Sequence, residues 1–408
     1  MIVVSTMALT FWLAMLVPET QSFEFHVAPM QGYTAAPLRY FYRLLSQDAV
    51  LWSEMEKVED LLSCSTDGLR RRFSDVPDNP SNFVLQLGGN DPSQIAQCLK
   101  RLNSEGYKFS EINLNCGCPS IQAGGASTFG ASMMKNPELT AKCVQTIRET
   151  TGEGTTVSVK TRIAVLDKAD DLLGEFTNEQ YRLLHNYIDQ VAQAGAAHVV
   201  LHARPVVLQG LSPIKNRQVP SLNHQVCYDI ADEFPSTKIT LNGGIASLSQ
   251  LRQAQQSAQE DTHNPLYSFM AGRWMIRRPL DIIHSTKISK QSGTSNAEHI
   301  SRAIRTYSAF VETERQRELI PFTELCLPLY LAIEQLREEE ENLEDGEKSN
   351  LGWDDMDELF TVCSEAAISL SDKIKVPTST NFKKIGVEFK KIVGKKVYGK
   401  WKKNRAEL

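Results

Sequence analysis

The sequence predicts an α/β fold, a (β/α)8 TIM barrel followed by a C-terminal helical domain. Three observations predict it. Eight short apolar runs are spaced along the chain, with stretches long enough for a helix between most of them. Each run stops at a residue that can do chemistry, and in such a barrel the strand C-termini build the site. Beyond about residue 295 the strand signals cease and only helical ones continue.

The runs are Phe23–Ala28, Ala49–Ser53, Phe83–Leu85, Glu111–Leu114, Val157–Val159, His198–Leu201, Lys238–Leu241 and Tyr267–Met270. They are followed in turn by Pro29-Met30, Glu54, Gln86, Asn115 with Cys118, Lys160, His202, Asn242-Gly243-Gly244 and Gly272-Arg273. Asp91-Pro92 opens a helix with Ile95, Cys98, Leu99 and Leu102 on one face. Asn136-Pro137 opens another through Leu139, Cys143, Val144 and Ile147. Thr177 starts a third, and Ser247 a fourth. Two stretches break the rhythm: a Gly-rich loop over 120–134, and a long loop over 203–220 carrying Arg204, Lys215 and Arg217. Long loops at this end of a barrel serve the site more than the scaffold.

The length of 408 residues accommodates a barrel over 23–290 and a helical domain over 295–408. Composition is that of a soluble globular chain, 41% apolar and 23% charged. A net charge of −5 excludes global attraction to nucleic acid, so any RNA binding needs a local patch. The eight cysteines lack CxxC spacing, which argues against a structural metal or a disulfide scaffold and for reduced intracellular thiols. Residues 1–22 form an apolar segment whose first charge is Glu19. It reads equally as a targeting presequence, a membrane anchor or a misplaced start, which leaves cytoplasm, plastid and mitochondrion open. Residues 334–358 are strongly acidic and resemble a flexible insertion. Residues 383–405 are strongly basic, and Tyr398 and Trp401 within them offer stacking surfaces for RNA.

Cys118 stands in a Gly-Cys-Pro turn that exposes its side chain. Taken alone it is equally a buried thiol or a catalytic one, able to act as nucleophile, acid or redox group. An inward Lys160 is costly unless it meets an anion or an electron-rich ring. His202, beside a Lys and a Cys from neighbouring strands, reads as functional rather than as a core histidine. The turns at Gly243-Gly244 and Gly272 let backbone amides approach a phosphate, and Arg273 can add a charge-assisted contact. With Gln86 and Lys160 available for a polar ring edge, flavin mononucleotide (FMN) fits this set.

Taken together, Ala28-Pro-Met30, Gln86-Leu-Gly-Gly89, Ile112-Asn-Leu-Asn115 with Gly117-Cys-Pro119, Val159-Lys-Thr-Arg162, His202-Ala-Arg204 and Asn242-Gly-Gly244 resemble the tRNA-dihydrouridine synthases. Gly210–Arg217 and Tyr40–Leu45 are similar to that family's A subgroup. The resemblance covers roughly residues 24–290. It implies one bound FMN, NADPH as reductant, hydride transfer to C6 of a D-loop uridine in tRNA, and a proton from Cys118 to C5. It also implies flavin contacts from Pro29, Met30, Gln86, Lys160, His202, Asn242, Gly243, Gly244, Gly272 and Arg273. Contacts to the uridine or its RNA fall to Asn115, Arg162, Arg204, Lys215 and Arg217. No metal is expected, and the chain is expected to be a monomer. The chain departs from the family pattern at Thr34-Ala35, Ser132, Ala164 and Trp274, none of which touches Cys118, Lys160 or His202. Two other readings stand beside this one. The first is a flavin barrel acting on a free pyrimidine, like the dihydroorotate dehydrogenases. The second is a non-catalytic tRNA-binding barrel.

Overall fold

The computed structural model describes residues 23–73, 82–119, 129–172, 175–261, 266–285, 295–344, 353–371 and 381–408. The apolar segment 1–22 and most of the Gly-rich loop lie outside the described residues. Among the described residues ten strands form: β1 (Glu24–Val27), β2 (Val50–Lys57), β3 (Phe83–Gly88), β4 (Glu111–Cys116), β5 (Thr156–Arg162), β6 (Val165–Lys168), β7 (His198–His202), β8 (Val206–Gln209), β9 (Lys238–Asn242) and β10 (Ser268–Ala271). Eight of them close an all-parallel barrel in the order β1-β10-β9-β7-β5-β4-β3-β2. These are the eight apolar runs. Each is buried on both faces, by the barrel interior and by the outer helices, so the runs are continuous rather than alternating.

Several strands run further than their apolar cores. β2 continues through Glu54 to Lys57, with a register shift between Trp52 and Met55. β5 carries both Lys160 and Arg162 within its ladder, paired to Val200 and His202. Polar side chains facing the cavity leave the backbone hydrogen bonds intact, so the ladder outlasts the hydrophobic pattern.

The expected helix starts are capped as their sequences require. Asp91 accepts from Ser93 N and Gln94 N, and Asn136 accepts from Leu139 N. Thr177 and Gln180 form a reciprocal capping box. The 203–220 stretch is not loop throughout. β8 within it pairs in parallel with β6 as a separate two-stranded sheet. Fully buried Asn216 locks this sheet, accepting from Val207 N at 2.8 Å and donating to Val207 O at 2.9 Å.

After the barrel come helices Asn296–Arg317, Phe322–Glu344, Trp353–Ser369, Phe382–Val393 and Lys395–Glu407. The first two pack on the barrel helix Ala36–Leu45, where the Tyr40 and Phe310 rings lie 4.5 Å apart. The acidic run proves ordered as far as it is described. Residues 334–344 belong to the helix Phe322–Glu344, and Glu334, Glu339 and Glu340 are buried. Glu339 pairs with Arg278 of the barrel, Glu340 accepts from Phe382 N at 2.9 Å, and Glu338 accepts from Arg405 at 2.6 and 3.1 Å. Acidic residues at helical spacing thus fasten the basic end of the chain to the barrel. Tyr398 and Trp401 are engaged too: each ring packs 5.1 Å from that of Tyr330, which leaves them half-buried. Among the described residues no helix is long and apolar enough to cross a membrane.

Candidate active site

The C-terminal ends of the barrel strands open into one cavity of 1310 Å³. Its lining includes Pro29, Met30, Gln86, Asn115, Cys118, Lys160, Arg162, His202, Arg204, Arg217, Asn242, Gly243, Gly244, Gly272 and Arg273. Residues far apart in sequence therefore meet as the barrel topology requires. Of the expected site residues only Lys215 is absent from the lining; it is exposed in the short turn before Arg217.

The Cys118 turn is held from below by Asn115. The Asn115 side-chain carbonyl accepts from Gly117 N at 3.2 Å and from Cys118 N at 3.0 Å. Its amide nitrogen donates to Gln86 Oε1 at 2.8 Å, and Gln86 Nε2 donates to Asn113 Oδ1 at 2.8 Å. Arg162, 4% exposed, donates to the carbonyls of Gly117, Pro205 and Asn216. Asn115 and Arg162, expected at the uridine or its RNA, line the cavity while their polar groups brace its walls. Cys118 and Cys64 are partly exposed, and the other six cysteines are buried.

The charges in the cavity are one-sided. Burial pushes the Lys160 ammonium down to about 7, and neighbouring Arg162 adds to the effect. Burial holds His202 well below the ordinary imidazole range, with Arg162, Lys160, Arg204 and Arg273 pushing the same way. Burial lowers Arg273 as well, aided by Arg217, Arg204 and Arg277. Cys118 opposes the shift of Lys160, and Arg273 donates to Leu408 O at 3.3 Å. Lys160 Nζ has a neutral partner, Asn242 Oδ1 at 2.9 Å. Among the described residues, Arg204 Nε is buried without a partner. The acidic residues of the cavity lie on its β2 side, where burial, then Glu56, raises Glu54 to about 7. Cations gathered on one side of a cavity favour an anionic ligand there.

The glycine turn after β9 packs closely against His202 and Leu222. Gly243 and Gly244 have φ of +106° and +82°. A Cβ on Gly243 would lie 2.6 Å from His202 Cδ2, and one on Gly244 would lie 2.6 Å from Leu222 Cδ1. Only glycine serves at either position.

Three features escaped sequence reasoning. The Glu54 carboxylate clasps the loop after β1, accepting from Gly32 N at 2.6 Å and Gln31 Nε2 at 3.2 Å. Its place at a strand end was visible, but its partner was not. Leu408 lines the cavity and its carbonyl accepts from Arg273 at 3.3 Å. Nothing local in the sequence marks that contact. Asn113 and Ser158 extend the Asn115–Gln86 network below the cavity, and their polarity inside two apolar runs was the signal.

A closed parallel barrel whose strand C-termini open into one cavity, lined by glycine turns, cations and a partly exposed thiol, has the architecture of a (β/α)8 enzyme with its site at that face. The model of the dihydrouridine synthase family matches residues 26–344. The chain belongs to that family. It is 39% identical over 234 residues to a tRNA-dihydrouridine(20/20a) synthase of Pasteurella multocida, covering 57% of this chain and 65% of that one. The protein of the same name from Shewanella oneidensis is 38% identical over 257 residues, with coverages of 62% and 68%. That from Xanthomonas campestris is 41% identical over 231 residues, with 56% and 62%. The chain thus spans about two thirds of the length of these relatives. Among solved structures, a mandelate oxidase variant with benzoyl-formic acid is 14% identical, with a TM-score of 0.33 and coverages of 62% and 64%.

Proposed function

We propose that this chain reduces uridine to 5,6-dihydrouridine in the D-loop of tRNA, using a bound FMN with NADPH as reductant, as a monomer without a metal. The barrel over 23–290 carries the chemistry and the helices of 295–408 hold the RNA. One observation carries the reading: Lys160, Arg162, Arg204, Arg217 and Arg273 share a single cavity with the partly exposed thiol of Cys118.

The residues present fit FMN. The partnerless Arg204 Nε, and Lys160 and Arg273 lining the same cavity beside the glycine turn at Gly243 and Gly244, suit an anionic, phosphate-bearing ligand. Gly243, Gly244, Gly272, His202 and Arg273 would hold its phosphate end. Pro29, Met30, Gln86, Lys160 and Asn242 would line its ring. When bound, FMN supplies the hydride for C6 of the uracil ring, renewed from NADPH.

Adding hydride at C6 leaves enolate-like charge, so a proton donor is needed at C5. Cys118 supplies that proton from Sγ, and Asn115 sets the height of its turn. Reaching an uracil in this cavity requires flipping it out of the RNA. The rim then meets the backbone on either side, where Lys215, Arg217 and Arg204 offer positive charge. A free pyrimidine needs neither that rim nor the basic helix Lys395–Glu407, which favours RNA over the free base.

Purified protein should be yellow and should release FMN on denaturation. Recovery of a different phosphate ligand, or folded colourless protein that FMN does not reconstitute, would overturn the cofactor assignment.

A further inference from the structure

The chemistry just proposed turns on Cys118, whose backbone N–H is held by Asn115. The carbonyl of the same residue is held from another element. The described end of the Gly-rich stretch is a short 3-10 helix, Gly130–Lys135, and its Ala131 N donates to Cys118 O at 3.0 Å. Gly130 lies directly against that carbonyl. Its φ is +74°, and a Cβ there would lie 2.6 Å from Cys118 O, 3.5 Å from Cys118 C and 3.6 Å from Cys118 Cβ. The nearest of these atoms is backbone, so no change of rotamer relieves the contact. Gly130 is buried and takes no part in the cavity wall, whereas Cys118 lines it.

We propose that Gly130 is a positioning residue for the Cys118 thiol: its missing side chain lets the short helix seat on the Cys118 carbonyl, and that seat sets how far the thiol stands into the cavity. A side chain at position 130 must move one of two partners, and the packing decides which. The helix has a seat of its own. Ala131 and Met133 are buried. Thr140, fully buried in the next helix Pro137–Thr151, donates from Oγ1 to Met133 O at 3.0 Å. Lys135 pairs with Asp167 of β6. Phe129, just before the helix, reaches the end of β3, where a Cβ on Gly88 would lie 3.0 Å from its ring. The Cys118 turn is held by hydrogen bonds from Asn115, from Arg162 to Gly117 O at 3.2 Å, and from the short helix, and it borders open space on the cavity side. A methyl at position 130 therefore drives the Cys118 peptide towards the cavity, where the ring to be protonated would sit. A misplacement of about 1 Å at a reacting group costs roughly 10²-fold in rate.

The consequence for catalysis rests on the function proposed above, but the seating of Cys118 does not, so the test has a readout that needs no cofactor. Gly130→Ala is compared with wild type and with Gly152→Ala. Gly152 has φ of +77° and nothing within 4 Å of a Cβ, so its variant carries left-handed strain without the collision. Iodoacetamide alkylation of flavin-free protein is followed at each cysteine by peptide mass spectrometry, with Cys64, the other partly exposed cysteine, as internal control. Cys118 should react about fivefold faster in Gly130→Ala, the worth of its bond to Ala131, with Cys64 unchanged. Gly152→Ala should match wild type at both. In flavin-loaded Gly130→Ala, kcat for uridine reduction should fall by about 10–10²-fold, with KM for tRNA and flavin reduction by NADPH unchanged. Thr140→Ala adds no bulk, loosens the seat of the helix, and should raise Cys118 alkylation selectively by a smaller factor; it decides the matter if Gly130→Ala does not fold. Unchanged Cys118 alkylation in the folded variants overturns the proposal. So does an equal rise in Gly152→Ala, or at Cys64 alongside Cys118, since either marks general loosening. If wild-type protein neither binds flavin nor reduces tRNA, the functional reading fails, while the alkylation contrast still decides the seating.

Discussion

Lys160→Met should make the flavin-free protein more stable while emptying the site of its cofactor. The Lys160 ammonium sits among cations, with the neutral Asn242 as its hydrogen-bond partner. Its pKa falls from the ordinary 10.5 to about 7 through burial and Arg162. At about 1.4 kcal/mol per pH unit, that corresponds to about 5 kcal/mol of cost for the charged form. Relaxation and water entry cut this several-fold, and losing the Asn242 bond opposes it by about 1 kcal/mol. A net gain of about 1–2 kcal/mol remains for the Met variant at pH 6. The sign follows from linkage. Between about pH 7 and 10.5 the unfolded chain holds a proton on this lysine that the folded chain has lost, so wild-type stability rises with pH there. Below about 7 both forms are protonated and the full cost stands. Urea unfolding of both flavin-free proteins at pH 6, 8 and 10 is the assay, with flavin content measured separately. The variant's advantage should be largest at pH 6 and should shrink towards zero by pH 10. An advantage that is absent at pH 6, or constant with pH, would refute the reasoning.

Cys118→Ala should keep its flavin and its reduction by NADPH but lose uridine reduction by about 10²–10⁴-fold in single-turnover assays. Gly243→Ala forces a side chain into a backbone with φ of +106° and against His202. It should cost about 1–3 kcal/mol in urea unfolding and lower flavin content. Deleting residues 395–408 should weaken tRNA binding and flatten its salt dependence, because fewer counter-ions are released. The same deletion should also speed flavin release in a dilution assay, since Leu408 lines the cavity and its carbonyl holds Arg273. Glu338→Ala frees Arg405 and should give a milder version, at about 1 kcal/mol of lost stability.

The barrel was legible because its strands are buried on both faces and therefore apolar throughout. The site was legible because polar residues at strand ends are costly unless they serve a purpose, which singled out Lys160, His202 and Asn242. What lay hidden depends on contacts across long sequence distances. The acidic run read as a flexible insertion because charge density suggests solvent. Glu338, Glu339 and Glu340 instead meet Arg405, Arg278 and the Phe382 amide, and no local pattern reveals those partners. The β6–β8 sheet was missed because two four-residue segments in loops carry too little periodicity to read. Asn115 was expected at the uridine or its RNA; it lines the cavity, and its bonds to Gln86 and the Cys118 amide were hidden in the sequence. The implied flavin contacts all fall in the barrel, and Leu408 adds the end of the basic helix to the cavity wall.

Reduction of a uridine within tRNA by this cavity is directly measurable. Flavin-loaded protein should be incubated with NADPH and tRNA lacking the modification, and in parallel with free uridine and with orotate. Nuclease digestion and mass spectrometry then locate any gain of two hydrogens. That gain is expected at a D-loop uridine of tRNA, lost in Cys118→Ala, and absent from the free pyrimidines. Reduction of a free pyrimidine with tRNA untouched, or tRNA left unmodified by protein whose flavin NADPH readily reduces, would contradict it.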